Sequence, residues 1–205
     1  MNVIFLDLEG VLWPRCLPYI FDYDILIREI EKKIIILKEI CINYNCKVVI
    51  SSSYSDAFDP ITLKPLLKDE DFGKIINAVY NLFIKYEIDL VGLTKRVRKI
   101  TSKSDNTEYF VMWKEDEIRL YLLHHPEIIH YCVLDDDDMI NAFHMGISDL
   151  DKVRKHLILT KGYDKNKDPN DVLKNFDELG LTSSCMEEVG KVLKLENNIN
   201  KYRKR

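Results

Sequence analysis

No stretch of the 205 residues approaches the ~18 consecutive apolar positions that crossing a bilayer takes, and no charged start followed by an apolar run marks a secretory leader. The formal net charge of −4 and a pI near 5.8 leave no overall attraction for nucleic acid or anionic lipid. A partner of that kind would need a local basic patch. The cysteines, Cys16, Cys41, Cys46, Cys132 and Cys185, are odd in number and form no C-x-x-C pair, so a disulfide framework is not expected. Reduced thiols in a soluble, cytoplasmic chain are the expectation. The histidines, His124, His125, His130, His144 and His156, lack a metal-ligand spacing and read as structural. Internal repeats and low-complexity linkers are missing too. The length, with 46% hydrophobic residues, suits one sizeable core with room for an appendage.

What is there is an alternation of short aliphatic runs with segments of helical period, the pattern of an α/β fold with a mainly parallel sheet. "NVIFLD" is the first strand, and "YDILIREIEKKIIILKEICINYN" sets Ile30, Ile34, Leu37 and Cys41 on one stripe of an amphipathic helix. "KVVIS" follows as a strand. "FGKIINAVYNLFIKYE" places Ile76, Val79, Phe83 and Tyr86 at helical spacing before the strand "DLVGLT". "WKEDEIRLYLLHH" is a helix closed by Pro126, "IIHYCVLDD" a fourth strand and "HLILT" a fifth. In the tail, "DPNDVLKNFDELG" has Pro169 near a helix start and Gly180 past its end. The last stretch is helical through Met186, Val189 and Leu193, then polar and basic. These boundaries suggest a core of residues 1–160 and a helical C-terminal extension of residues 161–205 that packs on or follows it.

The ends of the strands carry the chemistry. In "VIFLDLEGVLW" a buried run finishes in Asp7 and Glu9, and the fourth strand finishes in Asp135 and Asp136. Ligands of open parallel sheets sit beyond the carboxyl ends of the strands, where the strand order reverses. If the first and fourth strands are neighbours there, their carboxylates repel one another at low dielectric unless a cation intervenes. Oxygen ligands suit Mg²⁺, which shares its shell with water and a substrate phosphate. The second strand ends in Ser51 and Ser52, hydroxyl donors for such a group.

Four stretches in order, "FLDLEGVLW", "VVISSS", Lys114 ahead of "DEIRLYL", and "YCVLDDDD", resemble the signature motifs of the haloacid dehalogenase (HAD) superfamily of phosphohydrolases. Their wording is most similar to the small HAD domains of RNA-repair proteins. The resemblance covers roughly residues 1–160 and implies a Rossmann-like three-layer α/β/α sandwich. It implies that Asp7 is the nucleophile of an aspartyl-phosphate mechanism, and that Glu9 protonates the leaving oxygen and then activates water. Many members carry aspartate at the second position, although "DIEGT" of enolase-phosphatases has glutamate. Ser51 would donate its hydroxyl to the phosphoryl group, Ser52 would add a backbone N–H, and Lys114 would neutralise charge. Lys95, directly after the third strand, competes with Lys114 for that role. The implied Mg²⁺ ligands are Asp7, Glu9 through its carbonyl, and Asp136, with Asp135 the alternative. Asp137 or Asp138 could hold a metal-bound water, or serve only a helix N-terminus. Trp13 and Trp113 lie beside the motifs and read as packing residues.

Both points at which HAD enzymes carry a cap are short here, so no large cap domain is expected and the site should be open to a phosphate on a macromolecule. The second point, "KRVRKITSKSDNTEYFVMW", reads as a loop with a basic cluster, Lys95, Arg96, Arg98, Lys99 and Lys103. Lys95, Arg96 and Arg98 could clamp the anionic surroundings of the phosphate. The acidic balance and the lack of a stacking platform turn the expectation toward a phosphoprotein, phosphotyrosine included. A phosphatase of nucleic-acid ends and a catalytically silent binding module are the alternatives.

Overall fold

The computed structural model describes residues 1–14, 22–67, 71–95, 100–101, 108–109, 114–137, 153–162, 172 and 174–203. Five strands form one parallel sheet: β1 (Asn2–Leu6), β2 (Cys46–Ile50), β3 (Leu90–Leu93), β6 (His130–Asp135) and β7 (Leu157–Leu159), in the order β3-β2-β1-β6-β7. A separate antiparallel hairpin pairs β4 (Ile100–Thr101) with β5 (Glu108–Tyr109). The helices are α1 (Tyr23–Tyr44), α2 (Asp71–Lys85), α3 (Lys114–His124) and α4 (Ser184–Arg203).

β1 lies between β2 and β6, paired in register with both: Ile4 stands beside Val48 and Cys132, and Leu6 beside Ile50 and Leu134. From β1 the chain runs outward through β2 and β3, then returns to lay β6 and β7 on the opposite side. The reversal therefore falls between β1 and β6, the neighbours that the acid-tipped strand ends call for.

Alternate residues of the central strands enter opposite layers, as the period of two requires. Ile4, Leu6, Val48, Ile50, Cys132 and Leu134 face the larger core, filled by Leu26, Ile30, Ile34 and Leu37 of α1 and by Ile76, Val79 and Phe83 of α2. Val3, Phe5, Val49 and Val133 face a smaller cluster with Ile118 of α3 and Val153. Burial on both faces explains why these strands read as unbroken aliphatic runs. Among the described residues Cys41, Cys46, Cys132 and Cys185 are buried and form no disulfide, and burial pushes the Cys41 and Cys46 thiols up to about 12.

α1 begins where the Asp22 carboxylate accepts from the amides of Asp24 and Ile25, at 2.9 and 3.3 Å. It ends at Asn45 in the left-handed region, a position asparagine tolerates. Two expectations change. The stretch after β3 reads as a loop, but its described parts form the β4–β5 hairpin, which suits the β-branched Ile100 and Thr101 and the aromatic Tyr109. The helix expected after Pro169 lies partly outside the described residues, and its end is a 3₁₀ turn, Phe176–Glu178. There the buried Lys33 ammonium of α1 donates to the carbonyls of Phe176 and Asp177, at 2.8 and 3.4 Å, and so ties the turn to α1. α4 continues beyond the predicted apolar part to Arg203, with Cys185, Val189 and Leu193 in the larger core. Among the described residues no helix is long and apolar enough to cross a membrane.

Ile34 is fully buried between α1 and the sheet. Ile34→Ala should lower the unfolding free energy by about 2–5 kcal/mol in urea titrations. A loss under ~1 kcal/mol would mean that this layer closes over the gap.

Candidate active site

The rim of the sheet is assembled by backbone amides one step beyond the strands. Asp7 N–H donates to Leu134 O, Ser51 N–H to Leu6 O, Thr94 N–H to Ile50 O and Thr160 N–H to Asp135 O, all at 2.8–2.9 Å. Each bond extends a ladder past its last residue and fixes where the next side chain starts. Asp7, Ser51, Ser52, Thr94, Asp135 and Thr160 are all buried.

Asp7, Asp135 and Asp136 each bring a carboxylate oxygen within 4.8 Å of the others. The Lys114 ammonium, from the first residue of α3, lies 3.0 Å from Asp7 Oδ2 and 2.5 Å from Asp135 Oδ2. Burial would push the Lys114 ammonium down, but the carboxylates of Asp7 and Asp135 outweigh it and hold it above its ordinary value. Asp135 is fully buried, and desolvation pushes its carboxyl up to about 6 against the pull of Lys114, with the neighbouring Asp7 adding to the rise. Asp7 Oδ1 also accepts from Leu8 N–H at 2.9 Å, and Asp135 Oδ1 from Asp137 N–H at 2.9 Å.

The turn after β1 is shaped to let this cluster close. Gly10 has φ +86°, and a β-carbon there would stand 2.1–2.4 Å from the Asp136 carboxylate. Glycine is needed on both counts. Gly10 N–H donates to Trp13 O at 2.5 Å and Leu12 N–H to Leu8 O at 2.8 Å, while Leu8, Val11, Leu12 and Trp13 are buried.

The donor set fits a hard dication. Three carboxylates converge, one is pushed toward protonation by desolvation, and glycine leaves room for the third. Oxygen ligands of this kind suit Mg²⁺.

A family model described as the HAD domain in Swiss Army Knife RNA repair proteins matches residues 3–164. The chain belongs to this family. No curated protein and no solved structure matches the chain.

In this HAD domain the residues singled out from sequence separate by their place in the structure. Asp7, Ser51, Ser52, Lys114, Asp135 and Asp136 stand at or beside the rim, with Lys114 on the carboxylates and Lys95 exposed just after β3. Glu9 lies half-buried in the turn, and its carboxylate is not one of the three that converge. Arg96, Arg98, Lys99, Lys103, Trp113, Asp138 and His144 lie outside the described residues, while Asp137 is exposed. Trp13 is buried and packs against Tyr54, with ring centroids 6.0 Å apart, so it belongs to the core. His125 stacks on Tyr121 and His156 on Tyr131, and His124 Nδ1 lies 2.8 Å from Leu120 O.

Sequence reasoning missed Thr94 and Glu117. Thr94 Oγ1 lies 3.4 Å from Ser51 Oγ and 3.3 Å from Glu117 Oε2, a buried chain leading to the motif serine. Lys114 and Glu117 are three residues apart on α3, so one helix face supplies both contacts. The available signal was weak: Thr94 ends β3 just as Ser51 ends β2.

Because the folded state raises the Asp135 pKa from 3.8 to about 6, its carboxyl costs the fold little below about pH 4 and progressively more up to about pH 6. In metal-free protein the stability of Asp135→Asn relative to wild type should therefore rise by about 2–3 kcal/mol between about pH 4 and about pH 7. Urea unfolding in EDTA measures it. A difference that does not change with pH would contradict a desolvated Asp135.

Proposed function

We propose that the chain is an Mg²⁺-dependent phosphomonoester hydrolase that forms an aspartyl-phosphate on Asp7 and acts on phosphorylated nucleic-acid ends. The observation that carries the reading is the Asp7 carboxylate at the switch point, in contact with Lys114 and converging with Asp135 and Asp136. Buried fixed charges in this arrangement suit phosphoryl transfer, where positioning and electrostatic stabilisation dominate.

An Asp7 oxygen attacks phosphorus and the bond from phosphorus to the leaving oxygen breaks, with Glu9 supplying that oxygen's proton. Glu9, now a carboxylate, takes a proton from water, whose oxygen attacks phosphorus. The Asp7–phosphorus bond breaks and inorganic phosphate leaves. Ser51 donates its hydroxyl to a phosphoryl oxygen while its own oxygen accepts from the Thr94 hydroxyl, and Ser52 adds its amide. Lys114 balances the charge that gathers between nucleophile and phosphate. Asp7, Asp136 and the Glu9 carbonyl, with Asp135 beside them, would hold Mg²⁺, whose charge supplies neutralisation of the phosphoryl oxygens.

The substrate reading turns on the family. Its description points to RNA repair, whereas the net charge of −4 and the lack of a stacking platform, taken alone, favour a phosphoprotein substrate. The exposed Lys95 begins the basic stretch that could meet a nucleic-acid backbone.

Asp7→Asn should abolish Mg²⁺-dependent release of p-nitrophenol from p-nitrophenyl phosphate while far-UV circular dichroism stays that of wild type. A variant that turns over at the wild-type rate would refute Asp7 as nucleophile, and wild-type protein with no release that EDTA suppresses would leave a binding module.

Among 3′- and 5′-phosphorylated oligoribonucleotides and phosphopeptides, one class of oligonucleotide end should have the highest kcat/KM, by ~10-fold or more. Preference for the peptides would overturn the substrate assignment and keep the chemistry.

A further inference from the structure

The family match stops at residue 164, yet a segment beyond it reaches the turn that carries Glu9. Leu181 N–H donates to Val11 O at 2.8 Å. Gly180, just before it, has φ +61°, and a β-carbon there would stand 2.3 Å from Val11 O and 3.4 Å from Gly10 O. Its own amide donates to Lys161 O at 2.9 Å, which ties the segment to the exit of β7. On the neighbouring peptide Thr160 Oγ1 donates to Gly10 O at 3.2 Å.

The two carbonyls that follow Glu9 are thus both occupied, Gly10's by Thr160 and Val11's by Leu181. Val11 and Leu12 are fully buried, and a carbonyl left there without a donor would carry its whole desolvation cost. The turn is confined from both sides. The Asp136 carboxylate fills the place of a side chain on Gly10, and Gly180 lies against Val11. The segment is anchored behind this contact by the Lys33 ammonium on the Phe176–Glu178 turn and by Leu181, Cys185 and Val189 in the core.

We infer that Gly180 and Leu181 are positioning residues of the phosphatase site, holding the turn that follows Asp7 in place through Val11 O. The inference rests on the function proposed above. Asp7 is fixed at its own amide by β6, but Glu9 and Gly10 lie beyond that bond and take their place from what touches the turn. A side chain at residue 180 displaces the Val11 carbonyl and shifts Glu9 relative to the phosphate, whereas Ser51 and Lys114 keep their own anchors. The consequence is a loss in kcat with little change in KM.

The test compares full-length Gly180→Ala with Val79→Ala, which opens the core under α2 away from the segment. Native-state amide exchange at Gly10 and Leu12 is read alongside kcat and KM for p-nitrophenyl phosphate with Mg²⁺. Gly180→Ala should speed exchange at those two amides ~10-fold relative to the β1 amides and lower kcat ~10–100-fold with KM near wild type. Val79→Ala should speed exchange generally and keep kcat. Wild-type exchange and kcat in Gly180→Ala, or the same pattern in Val79→Ala, overturns the proposal. If Gly180→Ala does not fold, Lys33→Met, which releases the Phe176–Glu178 turn, is read in the same way, and wild-type exchange at Gly10 and Leu12 in it is equally fatal. Should wild-type protein release no phosphate, the hydrolase reading fails, while the exchange data still decide whether the segment braces the turn.

Discussion

Lys114 stands where a helix least welcomes a cation. The first turn of α3 lies at the positive end of the helix dipole, which favours acids such as Glu115, Asp116 and Glu117. An ammonium at that end is held by the carboxylates of Asp7 and Asp135. The converse also holds: two desolvated carboxylates on adjacent strands are tolerable only with a cation between them. This mutual dependence joins α3 to the β1–β6 switch point. It also lines up the charges that a phosphoryl group would meet.

The same constraint orders the layers around the site. β1 and β6 must be adjacent for their tips to share one cation, and β1 is paired along its whole length with β6 on one side and β2 on the other. Unbroken aliphatic strands are the price of that central place. Gly10 then becomes obligatory, since the Asp136 carboxylate occupies the volume any side chain would need.

The motif sequence made most of this legible. Acids at the ends of two apolar runs pointed to neighbouring strands, and helical spacing in α1 and α2 marked the faces that are buried. The contacts that sequence missed are tertiary. Thr94 and Glu117 lie 23 residues apart and meet near Ser51 only because β3 pairs with β2. Leu181 reaches Val11 across the whole HAD domain, and no local pattern encodes such a contact. The buried Lys33 of α1 donates to the Phe176 carbonyl of the 3₁₀ turn, a long-range contact that helical spacing does not signal. The β4–β5 hairpin was hidden because each of its strands has only two residues, too few for alternation to register.

At the rim, main-chain amides anchor Asp7, Ser51, Thr94 and Thr160 to the neighbouring strand, and the side chains play no part in that anchoring. Exchanging one of these side chains for another of similar bulk would therefore leave the ladder intact. The sheet works as a socket into which different reactive groups can be fitted, so a related chain could acquire a new reaction, or lose one, without having to reinvent its frame.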